Sequence, residues 1–117
     1  MEKAANSYKD HYIVCGLGEV GLHVVNELCA TKRHHIIVDA SRINIERNLE
    51  ILGDEVFIEG DATDNNTLLK AGIRRAKGLF AVTEDDNQNL VISLTAKQLS
   101  PNVRVVARCN EMKNSEK

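Results

Sequence analysis

The chain has 117 residues, 15 Lys plus Arg against 17 Asp plus Glu, a net charge of −2 and an apolar fraction of 43%, the size and composition of one compact domain. So small a charge imbalance excludes a disordered polyelectrolyte, and it offers no basic field for gripping nucleic acid. No apolar run approaches the roughly 18 residues of a bilayer span, and the polar start lacks a signal peptide's apolar stretch, so the segment reads as soluble and cytosolic with no membrane insertion of its own.

In chain order, residues 1–9 read as a polar linker, and the apolar run 11–15 ends in glycine, too short for a helix and bounded like a buried strand. From Glu19 to about Ala30, Val20, Val24 and Leu28 recur every fourth position beside Leu22, Val25 and Cys29, a wide apolar stripe at helical spacing. The pattern repeats. Ile36, Ile37 and Val38 form a strand ending at Asp39, and Ile45, Leu49 and Leu52 mark a helix closed by Gly53. Residues 55–58 form the third strand, Asp64 caps a helix carrying Leu68 and Leu69, and Gly72 stops it. Residues 78–82 form the fourth, followed by a capping box of Thr83 and Asp86 before a helix with Leu90, Val91, Leu94 and Leu99, ended by Pro101. Val103, Val105 and Val106 give the fifth strand, and residues 110–117 read as a polar linker or truncation point.

Strands alternating with helices imply parallel pairing by right-handed crossovers. The expected architecture for residues 10–109 is a Rossmann-like, doubly wound α/β sheet of order 3-2-1-4-5, with the ligand crevice at the switch point between strands one and four. Cys15, Cys29 and Cys109 form no CxxC pair, which argues against a disulfide framework or thiolate zinc site and leaves reduced thiols, two of them in or near the core. His34 and His35 precede a strand with no third metal ligand nearby in the sequence and read as surface residues, as do His11 and His23.

The chemistry is concentrated in Gly16-Leu17-Gly18-Glu19-Val20-Gly21, a G-x-G-x-x-G directly after a strand and opening a helix. Gly16 permits the tight turn, Gly18 admits a diphosphate to the backbone amides, and Gly21 lets the helix pack close to the sheet. Asp39, at the end of strand two, is placed to accept hydrogen bonds from a ribose diol and to repel a 2′-phosphate. Capping of the next helix explains it as well. Ala40 follows in the same turn, and Arg42 softens the repulsion. At the end of strand three, Asp61, Ala62 and Thr63 fall where an adenine would sit, unless Asp61 merely forms an Asx turn. Thr83, Glu84 and Asn87 lie across the crevice, where a distal ribose, helix capping or a divalent ion on the adjacent acids would each account for them. Glu19 opposes extra phosphate charge and so favours a dinucleotide over a triphosphate.

No substrate element, nucleophile elbow or Tyr-x-x-x-Lys pair accompanies this site, which points away from an enzyme and toward sensing, with the cofactor half of an NAD-dependent reductase and a ligand-free interaction module as rivals. The ordered set 13–21, Val38-Asp39, 60–64, Ala71-Gly72-Ile73, 81–87 and 101–108 resembles the regulator of potassium conductance (RCK) domain, similar to the TrkA-N nucleotide-binding subunits of Trk and Ktr transporters. That resemblance implies a non-catalytic cytoplasmic module at the inner membrane that binds NAD(H), or else ATP, ADP or AMP, and gates a potassium channel pore or transporter membrane subunit. It also implies dimers assembled into a ring of eight. Many members of the family carry Arg at the position of Glu19, where it holds a nucleotide's terminal phosphates, and they continue past strand five, so this chain resembles an excised segment. A similar dimer surface would use the helix carrying Leu90, Val91, Leu94 and Leu99.

Overall fold

The computed structural model describes residues 8–52 and 55–108. Within them the chain runs β1 (Tyr12–Cys15), α1 (Glu19–Ala30), β2 (His35–Asp39), α2 (Arg42–Leu52), β3 (Val56–Glu59), α3 (Asn65–Lys70), a 3-10 turn (Ile73–Arg75), β4 (Gly78–Ala81), α4 (Asp86–Leu99) and β5 (Arg104–Ala107). All four strand pairings are parallel and the sheet order is β3-β2-β1-β4-β5, as the alternation of strand and helix predicts. Gly53, Cys109 and the tail 110–117 lie outside the described residues, as does most of the expected N-terminal linker.

The strands are apolar on both faces because each face is covered by helices. Ile13, Cys15, Ile36, Val38, Val56, Ile58 and Leu79 point to one layer, where Leu68, Ile73, Ile92 and Ala96 of α3, the 3-10 turn and α4 meet them. Val14, Ile37 and Phe57 point to the other, against Val25 and Leu28 of α1 and Ile45 of α2. Both layers thus follow from the strand period of two. The β1 and β4 crossovers leave to opposite faces, which opens a crevice at the carboxyl ends of those strands.

Several sequence expectations change. His11 and His35 are buried, not superficial: His11 is fully enclosed with Nε2 2.8 Å from the Ala71 carbonyl, and His35 opens β2 with both ring nitrogens engaged. His23 and His34 are exposed as expected. Cys15 is buried and Cys29, on the last turn of α1, is exposed with its Sγ 3.9 Å from His35 Nε2, while Cys109 lies outside the described residues. Leu99 packs against the core, whereas Leu90, Val91 and Leu94 are 58%, 44% and 60% exposed. The cap of α4 is Asp85, whose side chain accepts from the N–H groups of Asn87 and Gln88, and not Thr83.

Candidate functional site

The loop between β1 and α1 is shaped by two glycines for two different reasons. Gly16 has φ +105°, and a Cβ there would lie 2.8 Å from the Thr83 backbone, so both conformation and space demand glycine. At Gly21 a Cβ would lie 1.8 Å from the Gly16 carbonyl oxygen, so only glycine lets α1 seat against its own entry loop. Gly18, the N-cap of α1 with φ −93°, is different. Its nearest neighbour for a Cβ is Glu84 Oε2 at 3.5 Å, an ordinary contact, and nothing in the protein itself requires glycine there.

Asp39 ties this loop to β2. Its Oδ2 accepts the Leu17 N–H at 2.7 Å and its Oδ1 accepts the Ser41 N–H at 2.7 Å, while Ser41 Oγ accepts the Asn44 N–H and caps α2. Each carboxylate oxygen retains a second lone pair, so the group is oriented by the backbone without being used up. Asp61 forms the Asx turn: Oδ1 accepts the Thr63 N–H at 2.9 Å and the Thr63 hydroxyl at 2.7 Å, and these bonds hold its carboxyl below the usual carboxylate range.

The far wall is fixed by a residue that the sequence does not single out. Asn89, fully buried on α4, accepts the Thr83 N–H at 2.9 Å and lies 2.6 Å from the Thr83 hydroxyl, while its amide donates to the Thr83 and Arg108 carbonyls at 3.1 Å each. One side chain therefore locks the loop after β4 to the end of β5. A lone Asn in an amphipathic helix gives no signal for this, since its partners lie six residues before it and nineteen after.

These elements enclose a cleft of about 480 Å³. Of the expected site residues, Gly16, Leu17, Gly18, Asp39, Ala40, Asp61, Ala62, Thr83 and Glu84 line it, joined by Val38, Asn44, Gly60, Asp85, Gln88 and Ile92. Glu19, Val20, Gly21, Arg42, Thr63 and Asn87 are not among the lining. Glu19 is exposed on the first turn of α1, Thr63 acts through Asp61, and Asn87 gives its N–H to Asp85. Arg42 turns outward, its Nε 3.2 Å from Glu59 and its Nη1 3.6 Å from Glu46. The cleft wall carries the carboxylates of Asp39, Asp61, Glu84 and Asp85 and no Lys or Arg among the described residues. An anion entering here meets amide dipoles and the start of α1 as its attractive partners.

The TrkA-N domain model matches residues 12–117. Potassium channel protein 1 of Methanocaldococcus jannaschii is 36% identical over 108 residues, covering 92% of this chain and 32% of that protein. The Trk system potassium uptake protein TrkA homolog of Pyrococcus horikoshii is 30% identical over 101 residues, covering 86% and 44%. The chain thus spans less than half the length of either relative. Among solved structures, the TrkA-N domain of the inner membrane protein ybaL from Escherichia coli superposes with a TM-score of 0.79 at 20% identity, covering 87% of this chain and 74% of that one. The NAD(P)-binding domain of an exopolyphosphatase-related protein from Archaeoglobus fulgidus gives 0.78 at 28%, covering 93% and 79%. The AMP-bound Kef CTD of Shewanella denitrificans gives 0.73 at 28%, covering 85% and 58%. With the family model spanning nearly all of the folded sheet and the glycine loop at its switch point, the chain belongs to the TrkA-N domain family.

Proposed function

We propose that this chain is a regulatory ligand-binding domain of a potassium channel or potassium uptake system, and that its cleft takes NAD(H) with the diphosphate at Gly18 and the adenosine ribose on Asp39. The observation that carries this reading is the pairing of an open Gly18 with a backbone-oriented Asp39 on adjoining walls of one cleft. A cleft of this volume is ordinary for a small-molecule site. Relatives named as potassium channel and uptake proteins support the physiological setting. Structural neighbours described as NAD(P)-binding and AMP-bound support the ligand class.

Charge orders the candidates. With four carboxylates and no cationic side chain among the described residues on the wall, each added phosphate is penalised, so ATP and ADP bind more weakly than NAD(H) or AMP. The positive nicotinamide ring of NAD⁺ offsets part of its diphosphate charge, which favours the oxidised form beside Glu84 and Asp85. The domain acts by binding and not by catalysis, on the cytoplasmic side of the inner membrane, where it biases a channel pore or transporter membrane subunit. No helix among the described residues is long and apolar enough to cross a membrane. The exposed Leu90, Val91 and Leu94 of α4 supply the surface for a second copy, and dimers build the ring of eight.

Calorimetric titration of the chain with NAD⁺, NADH, AMP, ADP and ATP tests the reading. The expected order is NAD⁺ ahead of NADH, and both ahead of ATP, with Asp39→Ala costing at least about tenfold through loss of charge-assisted hydrogen bonds. Absence of binding at millimolar NAD⁺ and AMP refutes it.

A further inference from the structure

At the opposite end of the sheet from the cleft, three side chains converge that are remote in sequence. Cys29 sits on the last turn of α1, His35 opens β2, and Glu55 immediately precedes β3. The β2–β3 ladder explains the meeting of the last two: Ile36 is the register partner of Val56, so one step back along both strands brings His35 beside Glu55. The turn after α1 then folds Cys29 over them, held by the Arg33 N–H on the Leu28 carbonyl and the Lys32 N–H on the Cys29 carbonyl.

The distances are those of a ligand set. Cys29 Sγ lies 3.1 Å from Glu55 Oε2 and 3.9 Å from His35 Nε2, and His35 Nε2 lies 2.5 Å from Glu55 Oε1. Around a tetrahedral zinc ion with bonds of about 2.0–2.3 Å, ligand atoms are separated by roughly 3.3–3.6 Å, a span that the observed separations bracket. Small rotations of the Cys29 side chain toward His35 and of the Glu55 side chain away from both close the difference.

The histidine carries the stronger argument. Its side chain is 5% exposed, and its Nδ1 lies 2.9 Å from the Arg33 carbonyl. A carbonyl only accepts, so Nδ1 bears a hydrogen and donates it there, which leaves Nε2 as the ring atom aimed at the Glu55 carboxylate. Two acceptors face one another there, and either a proton or a cation must lie between them. A backbone carbonyl that fixes the tautomer in this way is the usual outer partner of a metal-bound imidazole.

We propose that Cys29, His35 and Glu55 form a divalent transition-metal site of the zinc type, with water as the fourth ligand. One thiolate, one imidazole and one carboxylate suit Zn²⁺ or Co²⁺ and not the all-oxygen preference of Mg²⁺ or Ca²⁺. Cys29 is exposed, which leaves the fourth position to solvent. Without metal the Cys29 thiol keeps its proton, since partial desolvation of the sulfur and then the Glu55 carboxylate push its pKa up to about 11. On binding, the ion displaces the thiol proton, and the Cys29 thiolate, the His35 Nε2 lone pair and the Glu55 carboxylate become its three protein ligands. The ion pins the end of α1 to the start of β2 and β3, at a place the nucleotide does not reach.

The test titrates the reduced, chelator-treated chain with Co²⁺ alone and then with Zn²⁺. One equivalent of Co²⁺ produces thiolate-to-metal charge-transfer absorption with the intense visible bands of tetrahedral coordination, and Zn²⁺ displaces it. Cys29→Ser abolishes the charge-transfer band, Glu55→Gln and His35→Gln each weaken Zn²⁺ binding by at least about tenfold, and Cys109→Ser leaves both signals intact. Glu55→Gln keeps the ladder and the shape of the side chain, so its effect reads ligation and not folding. A wild-type chain without the band overturns the proposal. So does a band that survives Cys29→Ser, or one indifferent to both Glu55→Gln and His35→Gln, which would mark a lone thiol.

Discussion

The three fingerprint glycines make separable demands, and Gly18→Ala isolates the demand made by a ligand. At Gly18 the backbone, φ −93° and ψ −158°, is open to alanine, and the added Cβ has Glu84 Oε2 at 3.5 Å as its nearest neighbour. Replacing glycine by alanine at an N-cap costs the fold under about 1 kcal/mol. The same methyl group stands where a diphosphate would approach the amides at the start of α1. Pushing the diphosphate off even one charged hydrogen bond is worth about 1.5–3 kcal/mol, or roughly tenfold to more than a hundredfold in affinity. Gly21→Ala is the counterpart: its Cβ would lie 1.8 Å from the Gly16 oxygen, so α1 must shift, and a loss of about 3 kcal/mol of stability, the upper end for overpacking, is expected. Thermal melts of both variants with NAD⁺ titrations of Gly18→Ala measure both effects. Unchanged NAD⁺ affinity in a folded Gly18→Ala protein refutes the placement of the diphosphate.

Asn89→Ala removes the bonds to Thr83 and Arg108 from a fully buried position and is expected to cost about 2–4 kcal/mol in denaturant unfolding, with weaker nucleotide binding because the Thr83–Glu84 wall is released. Burial, helped by the Arg75 guanidinium and opposed by the hydrogen bond to Ala71, lowers the His11 pKa below the ordinary 6.5. The unfolded chain therefore takes up the proton first, so this contribution to stability is complete above pH 6.5 and is lost as pH falls through the lowered native value. His11→Gln should flatten that acid-side slope of Tm against pH. Leu94, 60% exposed on α4, is expected to be central to self-association, and Leu94→Glu should shift the sedimentation of a concentrated sample toward monomer while changing the unfolding free energy of the monomer by no more than about 0.5 kcal/mol.

The sheet was legible because parallel strands buried on both faces announce themselves as short apolar runs between helical stripes, and the glycine spacing with Asp39 then located the crevice. What escaped sequence reading is what tertiary geometry creates from polar residues. Thr83 and Asp86 satisfy the spacing of a capping box, yet Asp85 wins because the Thr83 hydroxyl is already engaged by Asn89. Arg42 is three residues from Asp39, but helix α2 carries it toward Glu59, the register partner of Asp39 on β3. His35 reads as a loop residue until the ladder with β3 brings Glu55 beside it. In each case the deciding partner lies on another element, and no local pattern encodes it.

The same dependence on distant partners shows how a bound nucleotide could be felt elsewhere. Asp39 couples the glycine loop to β2, and Asn89 couples the far wall to β5, so the two walls of the cleft belong to opposite helical layers and meet at the ligand. Helix α4 presents Asn89 and Ile92 inward to the cleft side and Leu90, Val91 and Leu94 outward. Under the proposed dimer, a ligand that prefers one spacing of the walls biases the placement of this single helix against the partner copy. Only its differential affinity for the two placements counts, and a tenfold preference supplies about 1.4 kcal/mol per site. In the proposed ring of eight such preferences would add before they reached a pore, so a modest discrimination at each cleft would be enough to shift a gate.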